Sequence, residues 1–330
     1  MPQNLLDYLD KQIKLIWAES DVWLEFIDAM HQALLFSDSP SGNNRVSDGW
    51  ALLPGLCCQA AGGDPDWADD LAGAWYLFYA AANLMDKVQD QDELDERWVK
   101  PGPGVALNAA SGLFFTSSLL LDRLHDNEFT GPRASVVIDE FYRGFLRMCN
   151  GQHKDLLCPQ PGLENFWDIA AGKSGSFFSM ACRSGARLAT ENSSKLDGYG
   201  KFGNSLGILL QILDELEELR QLKCSNSPEA WLKFSRSLPV IYALEVLPAS
   251  SAEQLQENLR IASENREAAD ESLEMIEQSG AALYIEAEIE RQRVNAAQGL
   301  AQASTLSPAG QKLHALLHSL VPSRQKKSHL

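Results

Sequence analysis

Two stretches of this sequence carry acidic side chains at a spacing that suits a hard cation. In Gly207-Ile-Leu-Leu-Gln-Ile-Leu-Asp-Glu-Leu-Glu-Glu218, two apolar turns lead into a sharply acidic end. No Pro interrupts the run and Gly207 is its one weak helix former, so the segment reads as an α-helix. Positions i, i+3 and i+4 share a helical face, which groups Asp214, Glu217 and Glu218, with Gln211 one turn earlier. Buried carboxylates are costly unless paired, and Mg²⁺, which takes carboxylate oxygens, is one solution. The other is a helix that leaves the core and turns its acids to water. Tyr76-Leu-Phe-Tyr-Ala-Ala-Ala-Asn-Leu-Met-Asp-Lys-Val-Gln-Asp-Gln-Asp-Glu93 repeats the design, with Asp86, Asp90 and Glu93 at i, i+4 and i+7. Two apolar helices, each ending in a carboxylate stripe, imply a cavity whose rim holds metal. Such a cluster grips a polyanion such as a diphosphate, and the apolar turns line a pocket for a hydrocarbon.

The elements that must position these stripes are all helical in pattern. Residues 4–36 read as two helices, with Asp21 as the N-cap of the second. Residues 37–49 form a polar, turn-rich loop. Further helices are expected over 66–85, 105–124, 136–157 and 166–189, then over 252–280, 281–305 and 308–321. Gln152 and Asp155 lie on the 136–157 helix, where they either meet metal-bound water or make core hydrogen bonds. Lys173 sits in the apolar middle of the next helix, four residues after Ile169 and four before Phe177, so its ammonium must reach the rim or an anionic partner. Ala80, Ala81 and Ala82 just before Asp86 predict either a wide groove or a close helix contact. No strand alternation, internal repeat or linker is visible. The expectation is an all-α chain forming one domain over 1–330, with 1–50 as N-terminal helices and loop, 51–245 as core and 246–330 as C-terminal helices.

Composition narrows the partners. The 330 residues are 45% hydrophobic, enough for a large core, and carry a net charge of −17. That charge argues against nucleic acid and against an anionic membrane surface. The six cysteines form no C-x-x-C pair, which fits free thiols in a reducing compartment and a cytoplasmic location. The N-terminus has no basic and apolar leader pattern, and no uninterrupted apolar run reaches the length of a membrane span.

Five segments, in order, resemble the trans-isoprenyl diphosphate synthases, the polyprenyl synthetases of the class I isoprenoid and terpene synthase superfamily. Asp86-Lys-Val-Gln-Asp90 resembles the first aspartate-rich motif, with Lys87 at its second acid. Gln211-Ile-Leu-Asp-Glu-Leu-Glu-Glu218 resembles the second, with Glu215 and Glu218 at its second and third acids. Gly151-Gln-His-Lys-Asp-Leu156, Lys173-Ser-Gly-Ser-Phe-Phe178 and Ser237-Leu-Pro-Val-Ile-Tyr-Ala-Leu244 resemble three further conserved segments of the family.

The resemblance implies a single-domain class I isoprenoid synthase helical bundle around a central active-site cavity. It implies Mg²⁺, three ions with bound diphosphate, held by Asp86, Asp90, Asp214, Glu215 and Glu218. It assigns catalysis to Lys173 and Gln211, and an allylic prenyl diphosphate to Gln152, Asp155, Lys173, Arg236, Tyr79 and Phe177. Small Ala81 and Ala82 imply a deep pocket for a long chain. Phe78, Tyr79, Phe114, Phe115, Phe177 and Phe178 are candidates to face a carbocation, against ordinary core packing. A homodimer is implied as well. The basic residues that hold a second diphosphate in this family are absent: Ser47 and Trp50 stand at the first pair, with Arg45 nearby, and Arg97 and Lys100 replace an Arg pair. The leading expectation is therefore an enzyme that ionises one long allylic diphosphate and cyclises or quenches the cation. The alternatives are chain elongation with substitute cations, and a non-catalytic subunit of a heteromeric synthase.

Overall fold

A computed structural model of the chain describes residues 3–37, 50–89, 102–158, 161–222 and 227–320. Among these residues there is no strand, and the fold is all-α, as the pattern predicts. Helices α1 (Gln3–Glu19) and α2 (Leu24–Ser37) are followed by α3 (Leu53–Ala61), α4 (Asp69–Gln89), α5 (Pro103–Asp122) and α6 (Gly131–Leu157). Then come α7 (Leu163–Ala170), a π-helical turn Ala171–Gly175, α8 (Ser176–Arg187) and the long α9 (Ser193–Leu222). The series closes with α10 (Pro228–Phe234), α11 (Leu238–Val246), α12 (Ala249–Ile261), α13 (Arg266–Gln278), α14 (Ala281–Ala303) and α15 (Ala309–Leu320).

Local chemistry accounts for several boundaries and corrects three expectations. Asp21 does not cap α2: it sits in the preceding turn at φ 51°, a left-handed conformation that Asp tolerates, and α2 begins at Leu24. The expected 252–280 helix is two helices, because the Asn265 side chain accepts the N–H groups of Glu267 and Ala268 and so starts α13 afresh. The expected 166–189 helix is interrupted by the π turn, a feature that apolar periodicity does not reveal. Ser227 caps α10 by accepting from the N–H of Ala230, with Pro228 in the first turn, where its missing N–H costs least.

By internal packing the chain divides into two compact units. The first comprises residues 1–144, 180–200 and 300–313. There α4 packs against α5, α2 and α1 around fully buried Trp75, Leu77, Phe78 and Leu113. Two hydrogen bonds satisfy polar groups inside it: Trp17 Nε1 donates to Thr116 Oγ1 at 2.9 Å and Ser117 Oγ to the Ala74 carbonyl at 2.8 Å, whereas Ser184 Oγ and Tyr199 Oη are buried without a hydrogen-bond partner. The segment Pro103–His125, α5 with its last turn, is long and apolar enough to cross a membrane by length and composition. In its most apolar window 44% of the residues are buried.

The second unit comprises residues 145–179, 201–299 and 314–330. Trp231, Phe234, Val240, Ala243, Leu255 and Leu259 form a core that draws α10, α11, α12 and α13 together. Beside it Tyr242 stacks on Tyr284 with ring centroids 4.3 Å apart, and Trp167 Nε1 donates to Tyr284 Oη at 3.0 Å.

Candidate active site

The first acidic segment ends α4 in the first unit. Asp86 is half-buried, and Ala80 and Ala81, one to two turns before it, are fully buried with Ala82 partly so. Ala80 and Ala81 thus sit in the tightly packed core. Asp90, Glu93, Arg97 and Lys100 lie outside the described residues, as do Arg45 and Ser47. Trp50, at one of the expected cation positions, is 5% exposed, so an apolar side chain is packed where the resemblance implies a guanidinium.

The second acidic segment lies on α9 in the second unit, where most of the candidate residues converge. A solvent-open cleft is lined by Asp155, Lys173, Gln211, Glu215 and Arg236, with Pro161, Phe166, Ile169 and Ala170 as its apolar wall. Lys173 and Asp155 form an ion pair at 2.7 Å, their side chains 21% and 32% exposed. Ser174 Oγ donates to Gln211 Oε1 at 2.8 Å, and Gln211 Nε2 donates to Glu215 Oε1 at 3.4 Å. Glu215 Oε2 accepts the Leu238 N–H at 2.7 Å. Gln152, half-buried, lies three residues before Asp155 on α6.

The backbone explains how this cation reaches the cleft. A helix carrying Lys173 in its middle would have to follow one regular face. The π turn inserts an extra residue and rotates Lys173 and Ser174 relative to the flanking turns. That turn is clamped on two sides by backbone. A Cβ at Gly151 of α6 would lie 2.5 Å from the Gly172 carbonyl carbon and the Lys173 nitrogen, and one at Gly207 of α9 would run into the Ser174 carbonyl oxygen. Only glycine permits this approach. The sequence marked Gly207 as the weak helix former of its segment, and here is its use. Ser174, Pro161, Phe166, Ile169 and Ala170 were not singled out beforehand. Ser174 stood inside the Lys173-Ser-Gly signal, whereas the four wall residues look like any buried helix.

The remaining candidates divide. Phe177 and Phe178 are buried edge-to-face, ring centroids 5.4 Å apart. Phe78 packs between Phe114 and Phe141, with centroids at 5.4 and 5.8 Å, and Tyr79 is half-buried. Phe115 is 73% exposed on α5, which removes it from any cation-shielding wall. Asp214 is half-buried, one residue before Glu215 and so turned about 100° from it around α9. Glu217 and Glu218 lie on the same helix, and their side chains are outside the description.

Among the described residues, no three acidic, histidine or cysteine side chains gather into a metal cluster. Mg²⁺ does not require one: it keeps several waters and is held by one or two carboxylates together with substrate phosphates. The hard oxygen donors of these segments, Asp214 among them, fit that demand.

With this geometry in view, similarity to known proteins can be weighed. The polyprenyl synthetase family model matches residues 52–276. A geranylgeranyl diphosphate synthase of Mycobacterium tuberculosis is 29% identical over 173 residues, 50% of this chain and 48% of the relative. The tryptophan prenyltransferase ComQ of Bacillus subtilis subsp. natto is 27% identical over 146 residues, 44% of this chain and 43% of the relative. The chain thus spans about half the length of these curated relatives. In fold it is similar to a geranylgeranyl pyrophosphate synthetase from Pyrococcus horikoshii, with a TM-score of 0.76 at 18% identity, covering 98% of this chain and 99% of the other. A family model that accounts for most of the chain, on a helical fold shared with that synthetase, establishes that this protein belongs to the polyprenyl synthetase family.

Proposed function

We propose that the protein is a prenyltransferase that ionises an allylic prenyl diphosphate and joins the allylic carbon to isopentenyl diphosphate, releasing diphosphate. The observation that carries this reading is the Lys173–Asp155 pair, held with Arg236 in one cleft against an apolar wall. Ionisation needs the departing diphosphate neutralised and the carbocation kept from water. Lys173 supplies the positive charge, and Asp155 holds its ammonium in place until an anion arrives. Arg236 lines the same cleft. Phe166, Ile169 and Ala170 give that side of the cleft an apolar face that offers water no hydrogen-bonding side chain. Asp214 on α9 is a described carboxylate that would hold Mg²⁺, which when bound neutralises diphosphate oxygens as a Lewis acid.

The matched relatives' names favour elongation over the cyclisation expected from the missing cations, since they are prenyl diphosphate synthases and a prenyltransferase. The family model draws on both units, which supports reading 1–330 as one functional domain. The apolar, exposed side of α5 supports a homodimer.

A second reading rests on Trp50. A buried indole cannot hold a diphosphate, so the acceptor would be a neutral nucleophile, in keeping with the similarity to a tryptophan prenyltransferase. Diphosphate release separates the two. The assay uses Mg²⁺ with single allylic diphosphates of increasing length, without and with isopentenyl diphosphate, and then with an indole acceptor. Release that depends on isopentenyl diphosphate supports elongation, and release that depends on the indole supports the second reading. Release from the allylic substrate alone, or none under any condition, would overturn both. Asp214→Ala should abolish release, and full activity in that variant would refute the site.

A further inference from the structure

We propose that Glu215 is a positioning residue that fixes both cations of the cleft, and that it does so by capping a helix. This rests on the reading of the cleft as a diphosphate site. The first-turn N–H groups of a helix have no partner within it. In α11, Pro239 has no N–H, and the N–H groups of Val240 and Ile241 reach the Ser237 carbonyl at 3.1 and 3.0 Å. Ser237 stands at the N-cap position, yet its side chain makes no capping bond and its Oγ is buried without a hydrogen-bond partner. The Leu238 N–H is therefore the orphan donor, on a residue that is fully buried. Glu215 meets it at 2.7 Å from 23 residues away in sequence. A carboxylate there also complements the positive end of the helix.

The consequences run in two directions. Leu238 follows Arg236 by two residues, so anchoring its amide fixes the connection that carries Arg236 into the cleft. The other carboxylate oxygen of Glu215 accepts from Gln211, which accepts from Ser174, the neighbour of Lys173 in the π turn. One carboxylate thus ties α11, α9 and the π turn together. Drawing it off to a cation would orphan a buried N–H. The metal-holding part of this segment falls to Asp214, one residue earlier on a different face.

Glu215→Gln keeps an oxygen for the Leu238 N–H and removes the negative charge, whereas Glu215→Ala removes both. Amide hydrogen exchange at Leu238 reads the cap without reference to catalysis. We expect protection to fall about tenfold or more in Glu215→Ala and to persist in Glu215→Gln and Asp214→Asn. Calorimetry with inorganic pyrophosphate, in the absence and presence of Mg²⁺, reads the cleft. Glu215→Gln should bind within about threefold of the parent, with an unchanged Mg²⁺ requirement. Glu215→Ala should bind about tenfold more weakly even without Mg²⁺, because its cations are displaced. Unchanged Leu238 protection in Glu215→Ala would overturn the proposal. So would a Glu215→Gln variant whose Mg²⁺ half-saturation rises as much as that of Asp214→Asn, which would make Glu215 a ligand. If exchange behaves as expected while the parent fails to bind pyrophosphate, the cap stands but its role in an anion site does not, and it is the functional reading that fails.

Discussion

Lys173 is held ready by a neighbouring carboxylate. Its ammonium is 2.7 Å from Asp155, and both side chains are largely but not wholly removed from water. Lys173→Met should lower the rate of diphosphate release by about 100-fold, the effect of deleting one preorganised charge at a developing anion. Its folding midpoint should move little, because the apolar stem is kept. Asp155→Asn should show a milder loss that appears mainly in kcat, since the cation remains but is no longer held. Asp69, in the first unit, carries a different burden. Burial, together with Asp66, Asp70 and Asp64, pushes its carboxyl up to about 6. A carboxyl whose folded pKa is raised binds its proton more tightly in the folded state, so folding stability falls as pH rises from about 4 to about 6 and stays lower above that window. Discounted for a group only half-buried, the loss is about 1 kcal/mol. Chemical denaturation at pH 4.5 and pH 7.5 should show this fall in the parent and not in Asp69→Asn, and equal slopes would refute it. At this scale the sequence is legible where a residue is out of character. A lysine on an apolar face and acids at helical spacing can be read directly. That Glu215 is tied to the start of α11 cannot, because the partner is an amide set by tertiary packing.

At the scale of elements, the helices were legible in kind and less so in their joints. Apolar periodicity locates the segment 166–189, but it does not distinguish a continuous helix from α7, a π turn and α8. The π turn has no compositional signature of its own, only the small residues Gly172, Ser174 and Gly175 that tolerate its crowding. Its partners were visible as glycines without an evident purpose. The purpose is contact: α6 and α9 approach the turn backbone to backbone at Gly151 and Gly207. Gly207→Ala makes the competition explicit. Alanine gains about 1 kcal/mol of helix propensity over glycine in a helix interior. The added methyl group meets a carbonyl oxygen rather than a flexible side chain, so α9 or the turn must shift, at a cost of about 1–3 kcal/mol or more. Overpacking wins, and urea denaturation should show a net loss of stability together with weaker pyrophosphate binding. A variant more stable than the parent would mean that the turn yields easily and is not a rigid seat for Lys173.

For the whole molecule, charge and apolar surface point in different directions. A net charge of −17 disfavours nonspecific association and anionic membranes. Yet α5 leaves Phe115 73% and Leu119 46% exposed one helical turn apart, with Leu107 at 36% two turns before Phe115. This is an uncharged stripe on an acidic protein. The proposed homodimer would cover it, because two copies paired by a twofold axis bring the same patch to both sides. That symmetry also sharpens the test, since each charge placed in the patch enters the interface twice. Phe115→Glu with Leu119→Glu therefore places four new carboxylates in the dimer while leaving the folded protomer, where both side chains are already exposed, close to its original stability. Sedimentation velocity at micromolar concentration should show a dimer for the parent and a monomer for the double variant. Flotation with zwitterionic vesicles supplies the opposing outcome. A parent that floats and remains monomeric would make α5 a lipid-facing helix and would remove the case for the homodimer.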